Sequence, residues 1–204
     1  MNYLIAGGEF VNKGSEAMII TTVNEIRRFD GDANIKVIIG YGEIDKEIER
    51  CLRIECIYYT SKSIEVLFSD KALYKQRARE VIKRILHVGT ETDIDSLNKA
   101  FMTADYFLDI SGYALSSKWA VTMNDFFLNR IKIARKKNCS CKIILLPQSF
   151  GPFDYDDSTY IMKIKETLML CDYIFARETY GYNLLSTLGL TNIRKSPDSV
   201  LTGC

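Results

Sequence analysis

The chain has no run approaching the roughly 18 apolar residues that a membrane-crossing helix requires, so no such helix is expected. Its first residues, Met1-Asn2-Tyr3-Leu4-Ile5-Ala6-Gly7-Gly8, lack a basic region, and their apolar stretch is too short for a signal peptide. A cytoplasmic protein is the expectation. An excess of one charge is missing too: 27 basic against 26 acidic residues leave a net charge of +1. Duplex binders usually carry a pronounced basic excess, so nucleic acid is not an expected partner. There is a single histidine, His87, and Cys139-Ser140-Cys141 therefore falls short of a zinc signature; no metal is expected. The six cysteines, Cys51, Cys56, Cys139, Cys141, Cys171 and Cys204, are scattered and mostly in apolar surroundings, and read as reduced thiols used as small core residues. Neither G-x-G-x-x-G nor the P-loop pattern occurs, so a nucleotide fingerprint is not supported. No internal repeat or low-complexity linker breaks the chain.

What the sequence does contain is an ordinary globular composition, 47% apolar and 26% charged, over 204 residues, enough for one large domain with a real core. Residues 2–6 read as a first strand. A glycine-containing loop, 7–15, leads to a helix from Glu16 with Ser15 as its N-cap and Ile19, Val23 and Ile26 on one face. Further strands are expected at 35–39, 53–59, 105–110, 141–146, 173–176 and 193–196. Helices are expected at 43–51, 71–86, up to about Thr103, up to about Lys137, and at 158–170 and 179–188. Alternation of this kind gives an α/β, Rossmann-like, mainly parallel sheet with helices on both faces. In the 71–86 helix, Lys71, Lys75, Arg79 and Lys83 recur at four-residue spacing; a solvated face is the preferred reading, and contact with a membrane surface the sharper one. His87 reads as a surface residue or a partner of the helix C-terminus.

Three apolar strands end in polar clusters. Tyr106-Phe107-Leu108 runs into Asp109-Ile110-Ser111-Gly112, 143–146 into Pro147-Gln148-Ser149-Phe150-Gly151-Pro152, and 173–176 into Arg177-Glu178. In an open parallel sheet, ligands bind outside the carboxyl ends of the strands, so Asp109, Gln148 and Arg177 are expected to face one ligand.

These stretches, with Gly7-Gly8 and Asn12-Lys13-Gly14-Ser15-Glu16-Ala17 before them and Leu184-Leu185, Gly189 and Pro197-Asp198-Ser199 after them, resemble the polysaccharide pyruvyl transferases. The resemblance runs over essentially the whole chain and over the N-terminal half of a usual member. It implies one domain of a two-domain enzyme similar in build to GT-B glycosyltransferases: 1–196 as a Rossmann-like N-terminal domain and 197–204 as the start of an interdomain connection, the second domain being absent. It further implies transfer of pyruvate from phosphoenolpyruvate, as donor substrate and with no cofactor, to a sugar of a capsule, exopolysaccharide or wall precursor as a ketal. The partners implied are phosphoenolpyruvate and a sugar or lipid-linked oligosaccharide acceptor, with a complementary second domain or a homo-oligomer to complete the site. The family's turn aspartate maps to Asp109 and its strand-end arginine to Arg177; His87 does not match its catalytic histidine. Two other functions stay open: a GT-B-like glycosyltransferase using a nucleotide sugar, and a non-catalytic domain that binds a glycan or a partner protein.

Each candidate side chain has a functional and a structural reading. Asp109 suits a catalytic base, or else accepts from the Ser111 and Gly112 amides. Arg177 offers a fork for carboxylate or phosphate, or else pairs with Glu178. Asn12, Lys13 and Glu16 present a substrate-binding loop at a helix start, or else a capped glycine turn. Gln148, Ser149, Ser111 and Gly112 could hydrogen-bond a sugar, and Phe150, Phe153, Tyr113 and Trp119 could stack on one; for Trp119 and Phe153 packing is expected.

Overall fold

A computed structural model describes residues 1–40, 46–85, 93–198 and 200. In chain order the elements are β1 (Asn2–Ala6), α1 (Lys13–Phe29), β2 (Asn34–Ile39), α2 (Lys46–Leu52), β3 (Ile54–Tyr58), α3 (Ser61–Leu67), α4 (Asp70–Ile85) and α5 (Ile94–Thr103). They continue with β4 (Tyr106–Asp109), α6 (Val121–Lys137), β5 (Lys142–Gln148), α7 (Ser158–Leu168), β6 (Tyr173–Ala176), α8 (Thr179–Thr187) and β7 (Ile193–Lys195). The seven strands form one sheet in the order β3-β2-β1-β4-β5-β6-β7, every described pairing parallel. This is the expected α/β Rossmann-like architecture. The order reverses between β1 and β4, the switch point at whose carboxyl edge such sheets bind ligands.

Period-two alternation sends successive residues to opposite faces. Leu4, Ala6, Phe107, Ile143, Leu145, Ile174 and Ala176 join the larger core beneath α3, α5, α6, α7 and α8. Ile5, Val37, Ile39 and Leu108 join the smaller core, covered by Ile19, Val23 and Ile26 of α1 and by Leu52 of α2. The cover is therefore uneven. Over β5 and β6 the second face carries half-buried Ile144, Leu146 and Phe175 and an exposed Tyr173.

Local chemistry moves several boundaries. Helix α1 begins three residues before the expected Glu16, because Asn12 rather than Ser15 caps it: Asn12 Oδ1 accepts from the Gly14 and Ser15 amides. The Ser15 hydroxyl instead accepts from the Glu9 amide at 2.6 Å. A seven-residue helix absent from the expectations, α3, is held by a reciprocal capping box between Thr60 and Ser63. On α4, Lys71, Lys75 and Arg79 are exposed, as a solvated face requires; Lys83 and His87 lie outside the described side chains. Cys51 and Cys139 are exposed, Cys56 is half-buried, and only Cys141 and Cys171 are core thiols; Cys204 lies outside the described residues. No described helix is long and apolar enough to cross a membrane.

Candidate functional site

The carboxyl edge gathers the loops after β1, β4, β5, β6 and β7, and the loops after β1 and β4 touch. Gly7 has φ +84, and a Cβ on it would lie 2.2 Å from Ser111 Oγ, so only glycine lets these two backbones approach so closely. Beneath that contact lies a polar lock. Asp109 has no exposed side-chain surface, and its Oδ2 sits 2.9 Å from Arg130 Nη2. Its Oδ1 accepts from the Ser111 amide at 3.0 Å, and Gln148 Nε2 reaches that oxygen and the Asp109 carbonyl at 3.4 and 3.3 Å. The Arg130 guanidinium also donates to Tyr59 Oη at 2.6 Å and Ser111 Oγ at 2.8 Å, and lies over the Phe126 and Phe127 rings. One buried cation from α6 thus ties the ends of β3 and β4 together.

The electrostatics of the lock follow from its burial. Desolvation alone would lower the Arg130 pKa, but the Asp109 charge and the Tyr59 hydroxyl outweigh it and keep the guanidinium charged. Burial pushes the Tyr59 phenol up, against the pull of Arg130. A carboxylate sealed in this way does not meet a hydroxyl arriving from solvent. In this arrangement Asp109 holds the turn and Arg130, which is the structural of its two readings. Gln148, also without exposed surface, sits in the same lock.

A second cluster stands nearer solvent, at the ends of β5, β6 and β7. Arg177 Nε donates to Glu178 Oε1 at 3.0 Å, Nη1 to Asp198 Oδ2 at 2.6 Å and Nη2 to Ser149 Oγ at 2.6 Å. The Ser149 hydroxyl donates to Glu178 Oε1 at 2.7 Å. Glu178 occupies the N-cap position of α8 yet makes no side-chain cap; its carboxylate is turned to Ser149 and Arg177, and is 47% exposed. Burial alone would lower the Arg177 pKa, but Asp198 and Glu178 outweigh it and raise it. A second cation stands at this corner, since Lys195 Nζ donates to Thr179 Oγ1 at 3.0 Å, next to Glu178. The Arg177 fork is thus already engaged by acids, as in its ion-pair reading.

The loops after β4 and β5 are zipped together past the sheet edge. Ser149 N donates to Gly112 O at 2.7 Å, Gly151 N to Leu115 O at 3.0 Å, and Ser117 N and Oγ both donate to Pro152 O, at 2.8 and 3.0 Å. Leu115, Phe150 and Phe153 are buried underneath, and Asn124 exchanges two hydrogen bonds with the Ser116 backbone. Phe150 and Phe153 therefore pack, as expected for Phe153. Trp119 packs in part: it meets Tyr113 edge-on at 5.5 Å and stays 39% exposed.

At the start of α1, Lys13 is exposed and pairs with Glu16 at 2.7 Å, while Asn12 spends its oxygen on the cap. The structure thus brings Asp109, Ser111, Gly112, Gln148, Ser149 and Arg177 to one edge, with Asn12, Lys13 and Glu16 at the mouth of the neighbouring loop. Sequence reasoning missed Arg130 and Tyr59, which organise that edge. The available signal was Arg130 itself, spaced as a core residue between Phe127, Ile131 and Ala134 on α6.

Comparison with known families gives a match to the family model described as polysaccharide pyruvyl transferase, over residues 12–203. No curated protein matches the chain.

Proposed function

Because the chain belongs to the polysaccharide pyruvyl transferase family, we propose that it serves the transfer of the pyruvyl unit of phosphoenolpyruvate to a sugar of a cell-surface polysaccharide precursor, forming a ketal. The observation that carries this reading is the family match from α1 to beyond β7, which takes in every polar strand end described above except that of β1. In the reaction, two sugar hydroxyl oxygens bond to C2 of the donor and the bond from C2 to the phosphate oxygen breaks. One hydroxyl proton ends on the methylene carbon, making it a methyl group, and the other leaves with the phosphate.

Such chemistry needs an acceptor for the hydroxyl proton that solvent-borne substrate can reach. Glu178, half exposed and hydrogen-bonded to Ser149, meets that condition at this edge; Asp109 supports it from below by fixing Ser111 and Arg130. Arg177 holds Glu178 and Ser149 in place through Nε and Nη2.

The test is calorimetric titration of the folded chain with phosphoenolpyruvate and, separately, with UDP-glucose. Saturable binding of phosphoenolpyruvate and none of the nucleotide sugar is the expected result. The reverse pattern would move the assignment to a glycosyltransferase on the same architecture.

A further inference from the structure

We infer that the outer face of α4 is a docking surface for an anionic lipid bilayer, which it meets with Lys71, Tyr74, Lys75 and Arg79. The inference stands apart from the pyruvyl transfer reading, because it uses no residue of the carboxyl edge. Helix α4 packs chiefly on α3 and α5 rather than on the sheet. Of its described side chains only Leu73 and Glu80 are buried, and their seven-residue spacing marks one inward face. On the other side, at three- and four-residue steps, stand Lys71, Tyr74, Lys75, Ala78 and Arg79, all exposed. The helix itself therefore places the three cations and the ring on one surface.

The surrounding charges decide whether that surface is truly basic. Glu80 is turned inward, where it accepts from Gln76 Nε2 at 3.1 Å and from the Ile94 amide at 3.4 Å. Asp95 is taken by Arg77, and the Asp93 carboxylate caps α5 through the Asp95 and Ser96 amides. On α3, exposed Lys62 and Glu65 offset each other. Asp70, the first residue of α4, lies 4.0 Å from Lys137, and the neighbouring Lys136 stands over the Phe68 ring at 5.8 Å. Against that one exposed acid of the helix, Lys71, Lys75 and Arg79 make no ion pair with any described residue. The outer face is thus net positive after its neighbours are counted.

The ring decides which polyanion fits. Cations within a Debye length of an anionic leaflet each add to the attraction, and a soluble polyanion would draw on them in the same way. Tyr74 adds something that only an interface uses. It is 74% exposed between Lys71 and Lys75, and a tyrosine ring seats its apolar body among acyl chains while its hydroxyl stays at headgroup level. The lysine and arginine stems reach outward beside it and carry their charges to the lipid phosphates. Cations around a solvent-facing aromatic match an anionic bilayer on both counts.

The experiment is co-sedimentation of the whole chain with phosphatidylcholine vesicles and with vesicles of phosphatidylcholine and phosphatidylglycerol, at low and at high salt. Three variants are compared with the parent: Lys71→Gln with Lys75→Gln and Arg79→Gln; Tyr74→Ser; and Arg28→Gln with Arg50→Gln and Arg194→Gln. The last removes the same charge from exposed positions on other elements. Thermal unfolding checks each variant. The expected result is binding to the anionic vesicles alone, weakened by salt, reduced about a hundredfold in the α4 triple variant and about threefold or more in Tyr74→Ser. The control triple variant should bind within about threefold of the parent. No binding to anionic vesicles at low salt, or equal losses in the two triple variants, overturns the docking surface. Binding to heparin as tight as to the vesicles, with Tyr74→Ser altering neither, would make α4 a site for soluble polyanions and overturn it as well.

Discussion

Two polar clusters sit a few residues apart on the same sheet edge and behave differently. Around Asp109, an arginine and a carboxylate are sealed from solvent, with Tyr59, Ser111 and Gln148 about them. Around Arg177, an arginine and two carboxylates stand between 23% and 47% exposed. Both are apolar strands ending in charge, and the sequence pattern is the same. What separates them is depth: water can replace a partner in the second cluster and cannot in the first. The sealed cluster holds the fold, and the open one is available to a ligand.

The largest expected effect comes from breaking the sealed pair. Arg130→Met strands the Asp109 carboxylate in the interior, and a loss of about 3–5 kcal/mol is expected in chemical denaturation. The double variant Asp109→Leu with Arg130→Met removes both charges and should lose less than Arg130→Met alone. A double variant that loses the sum of the two single effects would mean that the pair is not coupled. Tyr59→Phe removes one acceptor from the buried guanidinium and should lose about 2 kcal/mol by the same measurement.

Asp172 sharpens the comparison as an intermediate case. It is 20% exposed and accepts from Lys142, Arg135 and the Ile143 amide, each at 2.9 Å. Burial alone would raise its pKa, but these three donors outweigh it and hold the carboxyl below its ordinary 3.8. Its stabilisation is therefore present above the ordinary carboxylate range and lost as pH falls below 3.8 toward the folded value. Asp172→Asn should lose about 1–2 kcal/mol at pH 7 and flatten the acid limb of the stability profile. A parallel acid limb in parent and variant would contradict this. The smallest effect is expected at Lys13, where an exposed pair with Glu16 is worth roughly 0.5 kcal/mol or less; Lys13→Ala should melt within about 2 °C of the parent.

Much of the architecture was legible because buried parallel strands write themselves as short apolar runs, and all seven were placed from those runs within a few residues. The carboxyl-edge rule then identified the right end of the sheet. Depth was not legible. Asp109 follows three apolar residues just as Arg177 follows four, and nothing local says that an arginine three turns into α6 will reach up to one of them. Arg130 was not singled out, since a charge between apolar residues is ordinarily exposed. Asn12 lost to Ser15 as the expected cap because a glycine at 14 looked like loop, whereas its amide is one of the two that Asn12 accepts. Helix α3 was missed because seven residues give too little periodicity, although Thr60 and Ser63 marked its start. Trp119 was expected to pack, and it does so through its edge contact with Tyr113 while staying 39% exposed.

The most direct test of the contrast between the clusters is the unfolding free energy of Asp109→Asn beside that of Glu178→Gln, measured by denaturant titration at pH 7. Asp109→Asn leaves Arg130 charged and buried without its carboxylate, and a loss of about 3–5 kcal/mol is predicted. Glu178→Gln alters a half-exposed pair and should stay within about 1 kcal/mol of the parent. Equal losses in the two variants, or the larger loss at Glu178, would contradict the division into a sealed lock and an open site.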